Sequence, residues 1–496
     1  MINSIWPWLA ITLLVSPGSG RHPSPHLGAP LHYMLTPDRA LSHSTVVHIS
    51  DFGAIPDGKT NSTTAFQKAS RFLEAHGGTL IIDPGVYLVG RQHLSGSYTS
   101  GSSYIPEPII RITGAQRPII ILGDHAELKA ADGLKFGSFN PVTGLKDSIR
   151  KIGNRSDYYA AAFTFIAVIK SASITIKGLT LNGNSPQLDI GPAFGPEGIQ
   201  MPALGISLNQ DRKALIEDCY IHHCALDGVL IAWTGLTTQD PPYPHTLRHV
   251  QCEYNGRQGL SWVGGNQLTV TDCDFSSTGK ALNHGVLVSS KPGAGIDIEN
   301  EGSILRNARF VDCRIFDNTG PGVVSIGENT RNIQFQHCTF IGTTHSAAYP
   351  KSPGFSFDHC TFVGRVERIF GSADSAEATR FTHCFFTLDP KYSPNGQVFG
   401  DTWEFYEGAH VVFDHCQFDA ADQKLPTFNT PEVTFVDCGF SQSSNADFQA
   451  AAIFRDTTWF HLTGKARVLT SLSRFTGPVI LNGKPVTRLS ELNFRK

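Results

Sequence analysis

No run of Lys or Arg stands out along these 496 residues, and the formal net charge is −3. The basic footprint that a nucleic-acid partner requires is therefore missing. Long hydrophobic runs are missing too. The N-terminal apolar stretch, inside MINSIWPWLAITLLVSPGSG at residues 1–20, is short for a comfortable membrane span. Helical periodicity is absent from the body of the chain, where no apolar stripe at intervals of three and four outlasts a single repeat. Charge is sparse: 17% of residues are charged against 40% hydrophobic, a balance that excludes disorder and suffices for a large core.

What is present is one short phrase, used six times between Phe310 and Phe440: FVDCRI, FQHCTF, FDHCTF, FTHCFF, FDHCQF and FVDCGF. The Cys positions are Cys313, Cys338, Cys360, Cys384, Cys416 and Cys438, with looser copies at Cys219, Cys252 and Cys273. Successive spacings from Cys219 are 33, 21, 40, 25, 22, 24, 32 and 22. The short values set the period and the long ones add an insertion. A strand-rich repeat of this length is a solenoid signature, each copy burying its apolar side against its neighbours.

Within each copy the residue after Cys is mostly polar (Thr339, Thr361, Gln417) and the next is apolar (Phe340, Phe362, Phe418). That alternation puts Cys and the following Phe on one strand face. The Phe three before Cys breaks it, so a corner is expected at the Asp or His between them. The expectation is an all-β, single-stranded parallel β-helix, right-handed as parallel crossovers nearly always are. One domain then accounts for the length. Nine of the ten Cys share one repeat position and should stack as buried thiols rather than bridge. Cys224, five residues after Cys219, is the one with a bridging alternative.

Residues 1–20 read as a secretory signal, although Lys and Arg are missing before the apolar run and Pro7 interrupts it. An anchored or uncleaved segment is the alternative. The expected location is secreted or periplasmic, with no membrane contact after cleavage. Residues 21–45 read as a leader. Residues 46–496 form the β-helix, with an N-terminal cap at 46–90 and the last rungs and end cap at 441–496. The cap contains a short helix starting near Asn61–Thr63, carrying Phe66, Ala69, Phe72 and Leu73 on one face and ended by Gly77-Gly78. Strands are expected at IIRITG, PIIILG and ASITIKGLTLNGN. Residues 132–159 between them read as a long irregular loop.

The stretch DFGAIPDGKTNSTTAFQKA…GGTLIIDPGVYLV resembles the opening of the pectate-lyase-like right-handed β-helix superfamily, and Gly178-Leu179 with Asn182-Gly183-Asn184 resembles one of its early rungs. With the repeats, the resemblance covers most of residues 46–440. It implies a fold, since Asp51, Asp57 and Gly58 build turns. Its members include pectate lyases, rhamnogalacturonases, polygalacturonases, mannuronan epimerases and phage tailspikes. The Asn-Thr-Asp, Asp-Asp, Gly-His-Gly and Arg-Ile-Lys motifs of polygalacturonases are missing here, as is the Asp-Pro-His-Glu motif of the epimerases.

Chemistry on a β-helix wall needs loops to build the sides of a groove. The widest gap, from Cys273 to Cys313, holds NHGVLVSSKPGAGIDIENEG at 283–302. The GIDIE stretch resembles one in exported bacterial β-helix proteins. Stacking the rungs on their glycines places Leu230, Ser261 and Val324 beside Asp297, and Ala232, Val263 and Ile326 beside Glu299. Two carboxylates thus stand outward on a largely neutral wall. Their stems lie about 7 Å apart, and their carboxyls can reach either glycosidase geometry. Mutual repulsion and apolar surroundings would split their protonation into an acid and a base. The plainer reading is a pair of solvated surface acids or Ca²⁺-binding oxygens.

Asp297 and Glu299 are the catalytic candidates, and Arg257, His284, Lys291, Trp233 and Glu328 are candidate substrate contacts on flanking turns. The expected activity is a glycoside hydrolase acting on a polysaccharide, with no cofactor. One alternative is a polysaccharide lyase, with Arg257, His284 or Lys291 as base and Ca²⁺ as an aid. Another is a non-catalytic carbohydrate-binding surface protein. His337, His359, His383 and His415 share their slot with Asp312 and Asp437, which points to a turn role and not a metal site. Trp262 falls in an inward slot and should be core.

Overall fold

The computed structural model describes residues 45–98, 101–148, 159–194, 201–400, 409–428, 430, 432–462, 466–469, 473–488 and 492. The expected signal segment and nearly all of the leader lie outside these residues.

The chain winds as a coil with three parallel strands per turn. One wall is an eight-stranded sheet of β1 (Ile110–Thr113), β2 (Phe163–Ile169), β3 (Ala203–Asn209), β4 (Asp227–Ala232), β5 (Gln258–Trp262), β6 (Ala294–Glu299), β7 (Val323–Ile326) and β8 (Ala348–Pro350). The other two walls are limbs of a long sheet. Thr330–Gln336, Phe355–Asp358 and Arg380–Thr382 belong to the first limb, and Thr339–Ile341, Thr361–Val363 and Phe385–Thr387 to the second.

The corner between the limbs is the slot before Cys. Asp312, His337, His359, His383, His415 and Asp437 all hold φ between 48° and 54° there. Asp and His are among the non-glycine residues that enter this left-handed region most readily, which explains why they share the slot. The thiols that follow these corners point along the coil axis. Cys338 Sγ lies 3.6 Å from the Phe310 carbonyl, Cys384 3.4 Å from that of Phe357, and Cys438 3.4 Å from that of Phe413. All ten cysteines are free and buried, so Cys219 and Cys224 do not bridge. Cys252 departs from the expected shared slot: it pairs with Ile221 and Phe275, where later rungs place Phe, and Val250 follows the His249 corner in its stead.

The phenylalanines form two inner ladders. Phe335, Phe357, Phe381 and Phe413 stack at centroid distances of 5.2, 4.9 and 4.9 Å. Phe340, Phe362, Phe386 and Phe418 stack at 4.9, 4.9 and 4.8 Å. The ladders meet edge-on, as between Phe357 and Phe362 at 5.3 Å and 75°. Such pairs contribute about 0.5–1.5 kcal/mol each beyond area burial.

The N-terminal end is closed by α1 (Thr63–His76), with Ser62 as N-cap and Gly77 as C-cap. Phe66, Ala69 and Leu73 are buried against the coil. Phe72 departs from that face and packs outside it, 5.8 Å from Phe52 and stacked on His76 at 4.6 Å. The described part of the expected loop at 132–159, residues 132–148 and 159, also departs from expectation, residues 149–158 lying outside the described ones. Lys135–Ser138 is a strand pairing with Asp189–Ile190 and Tyr159–Ala160, and Lys135 and Lys146 both pair with Asp189. Charge pairing and strand addition, which no apolar period reveals, tie down what reads as loop. Thr458–Leu462, Val468–Leu469 and Val479–Leu481 are strands where late rungs were expected. Among the described residues no helix is long and apolar enough to cross a membrane.

Candidate active site

The register across β4, β5, β6 and β7 is Leu230, Ser261, Asp297, Val324, and Glu299 pairs with Ile326. These are the neighbours that stacking on glycines anticipates. The glycines explain the fit: a Cβ on Gly259 would lie 2.9 Å from Phe275, and one on Gly295 2.5 Å from Ile315. Only Gly lets the chain turn this tightly over the core, so each strand starts at the same height. The residue before the glycine is brought into register as well, placing Asp227 beside Gln258.

A buried polar network results. Arg257 Nε donates to Asp227 Oδ1 at 2.8 Å, and its Nη2 donates to Oδ2. Gln258 Nε2 donates to Asp297 Oδ2, while Gln258 Oε1 is buried without a hydrogen-bond partner. Asp227 is 0% exposed, Arg257 6% and Asp297 5%. The wall expected to face solvent is therefore largely withdrawn from it at this point.

Loops bank up on both sides. On one, the insertion leaves the Thr278 corner as an arm: Ser290 N donates to the Gly256 carbonyl at 2.8 Å, and Asn283 Nδ2 donates to the Ser185 and Leu188 carbonyls at 2.8 Å each. On the other, Gly235 N reaches Gly302 O and Leu236 N reaches Ser303 Oγ. There Trp233 stacks on Tyr243, with centroids 4.0 Å apart and planes at 17°.

The electrostatics divide the acidic pair. Burial, reinforced by Glu299 and only partly offset by Arg257, pushes the Asp297 carboxyl well above its usual range. Glu299 is pushed up to about 6 by burial and by Glu301, again with Arg257 opposing. Burial thus favours the protonated form more strongly at Asp297 than at the less buried Glu299, two residues along one strand. Such a pair can give a proton and accept one.

The other candidates spread out. Arg257 does not lie free on a turn; its guanidinium is engaged by Asp227 beneath the wall surface. His284 sits exposed at the tip between Leu282–Asn283 and Val286–Leu287, and Lys291 is exposed just before β6. Trp233 is half-buried in its aromatic stack at the end of β4. Glu328 is exposed in the turn after β7, its carbonyl accepting from Arg331 Nη1 at 2.8 Å. Trp262 is core, 1% exposed.

Asp227 and Gln258 belong to this network, and the exposed Glu301 acts on it through its charge; all three escape a reading by period. Asp227 and Gln258 occupy the slot before the stacked glycine, the one signal that finds them. Around the corner, Tyr220 stacks on His222 at 4.4 Å, and His223 on Tyr254 at 5.1 Å. His222 Nδ1 and His223 Nδ1 lie 2.8 Å apart, and burial, with His223 adding to it, pushes His222 down to about 4.

In the histidine column, the ligand atoms of Asp358, His359 and His383 lie within 4.8 Å of one another. The two rings stack at 4.5 Å and 22°, with their Nδ1 atoms 2.9 and 3.7 Å from Asp358 Oδ1. Parallel rings aim their lone pairs side by side, whereas a tetrahedral ion with bonds of about 2 Å needs them to converge. The turn role accounts for the column.

Fold and site define a class: a right-handed parallel β-helix with an acidic wall between loop banks. The family model described as right handed beta helix region matches residues 164–362, from β2 to the middle of the repeats. The chain is similar in fold to the mannuronan C-5 epimerase A-module of Azotobacter vinelandii, at 14% identity over 88% of this chain and 99% of that one, TM-score 0.37. It is similar to a family 28 exopolygalacturonase of Yersinia enterocolitica, at 11% identity over 89% and 79%, TM-score 0.38. It is also similar to the N-terminal fragment of gene product 12 of bacteriophage Phi29, at 14% identity over 90% and 73%, TM-score 0.47. Nothing about chemistry follows from likeness at this level. No curated protein matches the chain.

Proposed function

We propose that the protein is an exported polysaccharide-active enzyme, a glycoside hydrolase in which Asp297 is the general acid and Glu299 the base or nucleophile. The observation that carries this reading is a pair of carboxyls two residues apart on one strand of a loop-banked wall, Asp297 buried and Glu299 half-buried, so that burial raises the two unequally. Arg257 opposes the rise of both carboxyls by holding positive charge near them. The wall runs through eight stacked strands along the coil axis, a length that suits a polymer, and the Trp233–Tyr243 stack offers an apolar face to a sugar ring.

A lyase is the second reading. It needs an unpaired base beside a uronate, and Arg257 is tied to Asp227. That leaves His284 and Lys291, both on the arm. The test is a polysaccharide panel with product analysis. A hydrolase releases saturated reducing ends, and Asp297→Asn and Glu299→Gln each lower kcat/KM by about 10²–10⁴-fold. An unsaturated, ultraviolet-absorbing product, or unchanged turnover in both variants, overturns the assignment. N-terminal sequencing of protein recovered outside the cytoplasm tests export through residues 1–20.

A further inference from the structure

Gln258 is the member of the buried network to which the acid–base reading gives no task. It opens β5 beside Asp227 and Ala294, and its side chain reaches to the next rung, to Asp297 three residues beyond Ala294. Its amide is held at one end only. Nε2 donates to Asp297 Oδ2, while Oε1 is buried without a hydrogen-bond partner, on a residue 1% exposed. The other oxygen of Asp297, Oδ1, makes no hydrogen bond among the described residues. The charged groups that face this carboxyl are Glu299 on the same strand, Arg257 just before β5, Asp227 at the start of β4, and Glu301 in the turn after β6. Arg257 and Asp227 are committed to each other. The register neighbours Ser261 and Val324 carry no charge. Among the described residues, the hydrogen bond that the Asp297 carboxyl receives is thus the one from Gln258.

An N–H donates only to an oxygen with a lone pair to spare. Nε2 therefore reserves Oδ2 as an acceptor and leaves Oδ1 to carry the proton when Asp297 is an acid. Turned over, the same amide would do the reverse, with Oε1 accepting a proton held on Oδ2 between the two side chains. Nothing at the far end of the amide opposes that turn, since Oε1 has no partner to lose. The orientation is set by Asp297 alone. We propose that Gln258 is a positioning residue for Asp297: it holds Oδ2 as an acceptor, so that Oδ1 is the atom that gives the proton. This rests on the reading of Asp297 as the general acid. In that step the Oδ1–H bond breaks, the proton goes to the glycosidic oxygen, and that oxygen takes the electron pair of its breaking bond to the sugar carbon. The charge left on Asp297 spreads over both of its oxygens. The bond from Nε2 then strengthens, because a donor gains more from a carboxylate than from a neutral carbonyl. Gln258 thus favours the state that follows the transfer.

Removing the donor should make Asp297 hold its proton harder. Carbon NMR of the full chain with isotope-labelled Asp carboxyls reads this without any substrate, the Asp297 signal being assigned by its loss in Asp297→Asn. Gln258→Met should move the Asp297 titration up by about one pH unit. Gln258→Glu, of the same size, should also move it up once ionised, because a like charge replaces the donor; it serves should Gln258→Met not fold. In the rate profile, Gln258→Met lowers kcat by about tenfold with KM unchanged, and displaces the alkaline limb upward while the acidic limb set by Glu299 stays in place. An Asp297 titration unmoved in both variants overturns the proposal, as does a loss of kcat with both limbs in place. A titration moved toward acid in Gln258→Met shows the amide turned over, with Oε1 accepting, and overturns it too. If the titration moves up as expected while the polysaccharide panel shows no turnover, the catalytic reading falls and the hold on Oδ2 stands. If turnover depends on Asp297 while the titration does not move, the assignment of Gln258 alone falls.

Discussion

Asp297 and Glu299 are two residues apart on one strand, yet their surroundings treat them unequally. Asp297 is closed over by Gln258 and Val324, while Glu299 keeps part of its surface in water. The rate should follow that inequality. Turnover rises with pH as Glu299 ionises, with a midpoint near its raised value of about 6, and falls only where the higher-titrating Asp297 loses its proton. A pH–rate profile of kcat/KM checks this; Glu299→Gln removes the acidic limb along with the activity. The same shift has a stability consequence. Glu299 titrates at about 6 when folded against an ordinary 4.5, so the folded chain binds the extra proton between those values. Stability is therefore highest below the ordinary value and is progressively lost as pH rises through the folded one. Glu299→Gln should then raise the melting temperature at about pH 7.5, by on the order of 1 kcal/mol of stability, and leave it unchanged near pH 4. Equal gains at both pH values would show that the carboxylate carries no such cost.

At the scale of elements, β4 and β5 are clamped by Asp227 and Arg257, and that clamp decides how much positive charge reaches β6. Asp227→Asn leaves a buried guanidinium without its counter-charge, a change that typically costs about 3–5 kcal/mol. It also turns the full charge of Arg257 toward Asp297, whose carboxyl should then titrate lower. The expected outcome is a lower denaturation midpoint together with an alkaline limb of the rate profile displaced toward acid; a midpoint change alone would reduce the clamp to a structural one. This pair also marks where the sequence stops being readable. The Cys and Phe slots repeat because every rung must fill the same cross-section, so letters at equal intervals reveal the coil. The glycines reveal the register, and with it the neighbours of Asp297. Asp227 and Gln258 open their strands just before the stacked glycine, and Arg257 precedes Gln258 in a slot that no apolar period marks. Their pairing across thirty residues, and the burial that comes with it, exists only once the rungs are stacked. The Lys135–Ser138 strand is hidden for a related reason, since it is held by Asp189 and not by an apolar pattern.

At the scale of the whole molecule, a coil whose rungs touch only their neighbours should respond to damage locally. Phe381 is a fair place to strike. It stacks on Phe357 and Phe413 at 4.9 Å each and meets Phe362 and Phe386 edge-on, entirely out of water. Phe381→Ala removes a ring from a ladder that cannot close the gap, because backbone pairing fixes the rungs above and below, and a cost of about 3–5 kcal/mol is expected. That cost is borne by the adjacent rungs and not by the chain as a unit. Native-state hydrogen exchange should show protection lost across 355–363 and 410–420, unchanged around Leu80 and Leu128 beneath α1, and little changed in β6. Turnover at the acidic wall should therefore outlast the loosening of these repeats. A uniform loss of protection from cap to last rung would mean instead that the coil unfolds as a single body, and that the ladder transmits strain along its full length.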